Sequence, residues 1–215
     1  MKAFSSNTNK DNTQIVFAKP QAQEFIERMP DSEIWEEFKN GNEGAFNHIY
    51  LKYFQELYGY GQQFTSDFDL IKDLLQDLFI DLRKNRMRLG PTSSIKFYLF
   101  KSIRRKIGRY LKRKKTIYTS DMEPFSNVEF EKSHELKYLN DQLDENKRAL
   151  LKQAFLKLSR RQKEAIFYYF YQEMSYEEVT SIMGFRNIKS TRNLIYRAID
   201  SLKASTHPQK ASFFH

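Results

Sequence analysis

Apolar side chains recur at intervals of three and four residues along two stretches of the chain, 31–115 and 146–205. This spacing places the apolar positions on one face of an α-helix, so it predicts amphipathic helices in both stretches. The segment 116–145 between them is rich in Asp and Glu, whereas residues 1–30 and 206–215 form a polar extension and a short tail. The pattern predicts an all-α protein of two helical domains, the N-terminal block (31–115) and the C-terminal block (146–205), joined by an acidic linker (116–145).

The C-terminal block contains two short predicted helices around a glycine. Ser175 and Glu178 have the spacing of a capping box, which begins the first helix, and Gly184 supplies the left-handed conformation that ends it. The second helix places its core-facing residues on one arc, namely Ile188, Thr191, Leu194, Ile195, Ala198, Ile199 and Leu202. This arrangement is typical of a helix-turn-helix, whose second helix enters the major groove of DNA.

The opposite face of that second helix carries side chains that can bond both phosphates and base edges. The candidate DNA-binding residues are Lys189, Arg192, Asn193, Tyr196 and Arg197, which we call the recognition face. The alternative is a surface helix with solvated charges, which accounts for any one of these residues alone. For the whole set we favour DNA binding, because a helix-turn-helix with such a face has few other common uses.

The third predicted helix of the N-terminal block, about 67–86, has an acidic outer side. We call this side the acidic face, and it consists of Asp73, Gln76, Asp77 and Ile80. The carboxylates would repel DNA, and exposure of the apolar isoleucine to water is unfavourable. A basic protein is therefore the expected partner. A solvated face with one stray apolar residue is the alternative. We do not expect a metal site at Asp73 and Asp77, because no further ligand lies at a suitable spacing.

A Gly-Pro loop, 87–94, precedes a basic helix predicted over 95–115, with Ser93 or Ser94 as its cap. The candidate contacts to single-stranded nucleic acid are Phe97, Tyr98, Lys101, Arg104 and Arg105, which we call the basic-aromatic face. Aromatic rings can stack on unpaired bases while cations hold the backbone, and we expect Tyr98 to face solvent. The alternatives are a solvated basic helix, aromatic rings packed into the core, and a helix lying on a membrane surface.

Two further predictions concern the start of the N-terminal block. Its first helix, which contains Trp35, is predicted to be capped by Asp31 or Ser32. The next helix carries an aromatic-rich stripe over residues 45–58 that we expect to be mostly core.

Composition narrows the classes of function. The 215 residues carry a net charge of +9, which favours a polyanionic partner. No cysteine is present, which excludes disulfides and thiolate-bound metals and fits a reducing cytoplasm. No apolar stretch has the length of a membrane span, and the start of the chain lacks the apolar core of a signal peptide, so we expect a cytoplasmic protein. The four histidines are scattered and no nucleophile–base pair is evident, so we expect neither an enzyme nor a cofactor or metal.

Both blocks, in this order, resemble a known family. The segments IWEEFKNGNEGAFNHIYLKYFQELYGYG, DLIKDLLQDLFIDLRKNR and SIKFYLFKSIRRKI resemble region 2 of bacterial sigma-70 factors. The segments LKLSRRQKEAIFYYFYQEMSYEEVTSIMG and KSTRNLIYRAIDSLK resemble region 4 of the same factors. The resemblance covers most of residues 31–205 and is to the compact extracytoplasmic-function group, most like its members from Bacteroidetes.

The resemblance implies a transcription initiation factor that binds core RNA polymerase and directs it to promoter DNA. The acidic face would contact the clamp coiled coil of the polymerase β′ subunit, with further contacts to the β subunit. The loop 87–94 would be a specificity loop that captures a flipped base of the downstream promoter element, beside a basic-aromatic face that holds the nontemplate strand. The recognition face would bind the upstream element as duplex. An anti-sigma factor, in some family members membrane-bound, is a further candidate partner.

Two other functions stay open on the residues alone. A helix-turn-helix activator with an unrelated helical sensor domain would bind a promoter without being a polymerase subunit. A helical adaptor protein would bind no nucleic acid. The sequence also leaves open whether the two blocks pack together in the free protein.

Overall fold

The computed structural model of the protein describes residues 25–115 and 145–206. Every regular element within these ranges is helical, which confirms the predicted all-α fold. The acidic linker and most of both termini lie outside the described residues. Within them, no helix is both long and apolar enough to cross a membrane.

Four α-helices and one short 3-10 turn form the N-terminal block. They are α1 Asp31–Lys39, α2 Glu43–Gly61, α3 Phe68–Asn85, the 3-10 turn Arg86–Arg88, and α4 Ile95–Lys115. Two starts are set by local side chains, because Asn42 accepts hydrogen bonds from the first turn of α2 and Asp67 accepts one from the first turn of α3. Gly41 makes the turn between α1 and α2 at a φ of +93°, which L side chains rarely adopt.

The helices of the N-terminal block enclose one apolar core. Its fully buried members include Trp35, Phe38, Ile49, Leu57, Ile71, Leu75 and Phe100. The stripe on α2 is mostly core, as predicted, although Tyr50 stays exposed at its edge. Tyr50 and Phe54 pack against the buried ring of Phe79, which joins α2 to α3. Burial of such large rings removes much apolar surface from water.

The C-terminal block consists of four α-helices and a π-helical turn. They are α5 Glu145–Leu156, α6 Arg160–Ile166, the π-helical turn Phe167–Tyr171, α7 Tyr176–Met183, and α8 Ile188–Thr206. Ser159 and Gln162 form a capping box at the start of α6. The helix α8 packs across α5, α6 and α7, and its residues Ile195 and Ala198 are fully buried.

The two blocks pack against each other in a closed arrangement, which the sequence had left open. The helix α4 contacts α7, and the buried residues of both blocks form one continuous core. Tyr60 of α2 lies at the junction, where its ring centroid is 5.3 Å from that of Phe100 and 5.7 Å from that of Tyr168. Side chains of the predicted nucleic-acid surface on α4 therefore lie close to the C-terminal block.

Candidate nucleic-acid and docking interfaces

The acidic face lies on the outer side of α3. Asp73, Gln76 and Asp77 are exposed, and Ile80 is 39% exposed. Five apolar residues on the other side of α3 are buried and fix its orientation, namely Ile71, Leu75, Leu78, Phe79 and Leu82. Carboxylates beside an exposed aliphatic side chain can bind a basic surface that also offers an apolar contact. Among the described residues, no group of three or more His, Cys, Asp or Glu could hold a metal ion.

The basic-aromatic face on α4 is partly exposed. Arg105 is exposed, and Lys101 Nζ lies 5.1 Å from the ring centroid of Phe97. The expectation that Tyr98 faces solvent is wrong, because Tyr98 is half-buried with its ring centroid 4.9 Å from that of Trp35. Trp35 belongs to α1, so this contact between helices could not be inferred from spacing along α4.

Two cations of the basic-aromatic face are bonded to the C-terminal block. Arg104 donates from Nε to Glu164 Oε1 at 2.5 Å and from Nη2 to Oε2 at 3.3 Å. Lys101 donates to the Ser181 hydroxyl at 2.8 Å. Glu164 is only 3% exposed, whereas the Arg104 side chain is 34% exposed. Burial opposes the charge of Arg104, but the hydrogen bonds and negative charge of Glu164 outweigh it and raise the pKa of Arg104.

A layer of aromatic side chains surrounds this ion pair. The hydroxyls of Tyr60 and Tyr168 lie 2.5 Å apart, and Tyr168 donates to Glu164 at 3.4 Å. Burial raises the pKa of both tyrosines well above the ordinary range, so both stay neutral and able to donate. Phe167 packs on Tyr60 and on Phe100, which shields the hydrogen bonds from water.

The helix α1 holds the loop 87–94 at its middle, at Gly90, and at its junction with α4. Trp35 Nε1 donates to Gly90 O at 2.9 Å, and Asp31 Oδ2 accepts from Ile95 N at 2.7 Å. The prediction that Asp31 or Ser32 caps α1 is wrong, because α1 begins after Pro30 without a side-chain cap and Asp31 bonds the start of α4 instead. Ser94 caps α4 as predicted, since its hydroxyl accepts from Phe97 N at 3.1 Å. Met87 is 77% exposed at the entrance of the loop.

The helix-turn-helix has the predicted geometry. Ser175 and Glu178 form the capping box of α7, and Gly184 ends that helix at a φ of +70°. Asn187 accepts a hydrogen bond from Ser190 N at the start of α8. The core arc of α8 is buried or half-buried, and the five residues of the recognition face are exposed. The helix α8 therefore presents three cations, an amide and a phenol to a common side.

Two residues of the recognition face are ordered by Tyr176 at the start of α7. The Arg192 guanidinium lies 5.0 Å from the centroid of the Tyr176 ring, and Tyr196 shares a hydrogen bond with the Tyr176 hydroxyl. Tyr169 stacks on Tyr176 at 4.5 Å, and its hydrogen bond is the main reason that the pKa of Tyr176 is raised. These contacts hold Arg192 and Tyr196 in place before a ligand arrives, which lowers the entropy lost on binding.

Comparison with known proteins identifies the N-terminal block. The family model Sigma-70 region 2 matches residues 49–117, which include most of α2, all of α3, the loop 87–94 and α4. Residues 49–117 therefore form a sigma-70 region 2 domain. The chain is 27% identical to the RNA polymerase sigma factor YlaC of Bacillus subtilis over 162 residues, which is 74% of this chain and 90% of YlaC.

Two solved structures share the fold of this chain. CnrH, in complex with the cytosolic domain of CnrY, has a TM-score of 0.54 at 17% identity, with 84% of this chain and 99% of that chain covered. The sigma factor RpoE of Bartonella quintana, in complex with the anti-sigma factor NepR, has a TM-score of 0.54 at 22% identity, with 77% and 98% covered. The findings confirm the resemblance to the sigma-70 family and its extracytoplasmic-function group. The likeness to Bacteroidetes members stays a prediction.

Sequence reasoning missed several residues that shape these interfaces. Glu164 and Tyr60 were not singled out, although they bond Arg104 and Tyr168 across the two blocks. Trp35 was assigned only to the first helix of the N-terminal block, and Tyr176 was not singled out. No periodic pattern reveals such pairs, because the partners lie on different helices far apart in the chain. A lone Glu at a core-facing position of α6 was the one available signal.

Proposed function

We propose that this sigma factor binds core RNA polymerase and directs it to specific promoters. It would bind the upstream promoter element as duplex, and would melt the downstream element and capture its bases. The observation that carries the proposal is the exposed acidic face on α3, in a basic chain that also presents two cationic nucleic-acid surfaces on α4 and α8. An activator acting without being a polymerase subunit would have no use for that acidic face.

Polymerase binding is assigned to Asp73, Gln76, Asp77 and Ile80. Their charge and exposed aliphatic group complement a basic coiled coil, and we assign the clamp coiled coil of the β′ subunit as the partner. The β subunit would supply further contacts. The rigid packing of α3 in the core supports this assignment, because a preformed face loses little entropy on docking.

Single-strand binding is assigned to Phe97, Tyr98, Lys101, Arg104 and Arg105, beside the specificity loop 87–94. Duplex binding is assigned to Lys189, Arg192, Asn193, Tyr196 and Arg197. The domain assignment follows, with region 2 over residues 31–115, the acidic linker over 116–145 and region 4 over 146–205. The chain itself would catalyse no reaction, since binding energy alone places polymerase and stabilises the melted strand.

The closed arrangement adds a step to this function. While Arg104 bonds Glu164, two of its donors and its charge are engaged by a carboxylate, and Lys101 lies against Ser181, so neither side chain is free to follow a DNA strand. Engagement of the downstream strand therefore requires the C-terminal block to leave α4, and polymerase would bind the separated form.

The location and a further partner follow from polymerase binding. We place the protein in the cytoplasm, where polymerase acts. Because the neighbour RpoE is held by an anti-sigma factor, we propose a regulator of that kind here, which would bind the sigma factor and keep it from polymerase.

Initiation with purified components tests the function. The full chain is added to cognate core RNA polymerase with fragmented genomic DNA, and transcript 5′ ends are mapped by sequencing. We expect new start sites that share an upstream and a downstream element and that are absent with core polymerase alone. Complete lack of initiation would refute the proposal. Promoter binding by the chain without polymerase, together with no initiation, would favour the activator.

A further inference from the structure

We infer that Trp35 and Asp31 are positioning residues for the specificity loop 87–94. They fix the two ends of its exposed stretch, so that the stretch is already shaped for the downstream base before DNA binds. The inference rests on the proposed function of the loop and adds two residues of α1 that contact no DNA.

Trp35 fixes the first end of the stretch. Its indole N–H donates to Gly90 O at 2.9 Å, and the side chain is fully buried. The indole cannot turn away, because its ring centroid lies 5.4 Å from that of Phe38 and 4.9 Å from that of Tyr98. A buried indole N–H requires an acceptor, and here the acceptor is a carbonyl of the loop.

Asp31 fixes the second end. Its carboxylate accepts from Ile95 N at 2.7 Å, at the first residue of α4, and is also hydrogen-bonded to the Tyr53 hydroxyl of α2. A charged acceptor makes the stronger class of hydrogen bond to a backbone N–H. Because Tyr53 is buried in α2, it fixes the position of the Asp31 carboxylate, which in turn bonds the start of α4.

The stretch between these two ends is open to solvent. Gly90, Pro91 and Ser93 are exposed, and no atom from elsewhere in the described chain lies within 4 Å of the position that a Cβ on Gly90 would take. The hydroxyl of Thr92 bonds both Ser94 N and Ser94 O, which closes the end of the stretch on itself. A stretch held at its ends and open along its outside can receive a base without a large loss of chain entropy.

Trp35 also joins the loop to the basic-aromatic face. Its ring packs on Tyr98, the residue assigned to the nontemplate strand, while its N–H holds Gly90. The two roles are chemically separable, since a phenylalanine at position 35 keeps an aromatic ring and lacks the donor.

The experiment compares Trp35→Phe with the unaltered chain in the full holoenzyme. The template is a pool of promoters, built on a start site mapped with unaltered holoenzyme, in which either the downstream or the upstream element is randomised. Sequenced transcripts give the discrimination at each position. Loss of one hydrogen bond predicts that Trp35→Phe lowers discrimination at the downstream element by about two- to tenfold, with discrimination at the upstream element and polymerase affinity unchanged. Asp31→Ala should also lower discrimination at the downstream element.

Ile34→Val is the matched control, because it also reduces a buried side chain of α1 but removes no bond to the loop. Retained downstream discrimination in Ile34→Val supports the positioning role, whereas an equal loss in Ile34→Val and Trp35→Phe at equal thermal stability overturns it. Full discrimination in Trp35→Phe also overturns it, while the proposed function stands. An unaltered chain that directs no initiation refutes the proposed function and this inference together.

Discussion

At the level of single residues, the side chains of α3 proposed to bind polymerase are distinct from those that hold the helix in the core. Asp73 and Asp77 lie one helical turn apart and are exposed, while the residues that hold α3 in the core point the other way. A change of charge at Asp77 therefore alters the acidic face and leaves the core of the block intact. This separation makes the docking assignment accessible to mutation.

Reversal of the charge at Asp77 should weaken polymerase binding. We expect Asp77→Lys to lower the affinity for core RNA polymerase by at least about tenfold, because juxtaposed like charges cost several kcal/mol. Affinity is measured by fluorescence anisotropy of labelled sigma factor, with circular dichroism as a check of the fold. Glu33→Lys, at an exposed position of α1, makes the same change of charge and should bind normally. Equal affinity of Asp77→Lys and the unaltered chain would remove Asp77 from the docking surface.

At the scale of elements, a close approach of α2 and α3 sets the position of the acidic face. A Cβ on Gly61, the last residue of α2, would lie 2.5 Å from Cγ2 of Ile71, which is buried in α3. Only glycine lets the two helices meet at this distance. The helix that carries the acidic face is thus placed by a residue with no side chain.

Gly61→Ala should destabilise the protein. Overpacking against Ile71 is expected to lower the free energy of unfolding by about 1–3 kcal/mol. Gly59→Ala lies two residues earlier in the same helix, where no atom from elsewhere in the described chain lies within 4 Å of the added Cβ. That control should be neutral or stabilise by up to about 1 kcal/mol, because alanine favours the helix. Urea denaturation of both variants measures the difference in their free energies of unfolding. Equal stability of Gly61→Ala and Gly59→Ala would contradict the prediction, because it would mean that α3 moves aside without loss of stability.

At the scale of the whole molecule, the closed arrangement places a carboxylate where a phosphate would bind. Glu164 makes a bidentate ion pair with Arg104 inside an aromatic layer, and Lys101 bonds Ser181 beside it. Glu164 is buried and Arg104 is partly exposed, so removal of the Glu164 charge leaves Arg104 without its counter-charge and weakens the contact. On the proposed function, the C-terminal block and the downstream strand would compete for these two cations.

Neutralising Glu164 should release the downstream surface. We expect Glu164→Gln to raise the affinity of the free chain for a single-stranded oligonucleotide carrying the downstream element by about three- to tenfold, since a hydrogen bond between charged groups contributes about 1.5–3 kcal/mol and part of it remains. Fluorescence anisotropy at fixed ionic strength measures the affinity. Glu177→Gln, exposed in α7, changes the net charge equally and should leave affinity unchanged. If Glu164→Gln separates the two blocks but does not bind the oligonucleotide more tightly, the C-terminal block and the strand do not compete for Arg104.

Features that depend on neighbours in the chain could be predicted from the sequence. Ser175 with Glu178, and Gly184 at the end of α7, act within a few residues of each other, so their roles follow from local spacing. The exposed sides of α3 and α8 follow from helical periodicity for the same reason. The prediction failed for Asp31 and Tyr98, because each has a partner on another helix that competes with the local choice.

Local sequence patterns are enough to establish the helical class, the acidic face on α3, the recognition face on α8 and the family resemblance. The bond between Glu164 and Arg104, the hold of Trp35 on the loop and the packing of the two blocks are visible only in the folded protein. These contacts join residues about 55 or more positions apart. Such contacts form only once the packing of large apolar side chains has brought the helices together.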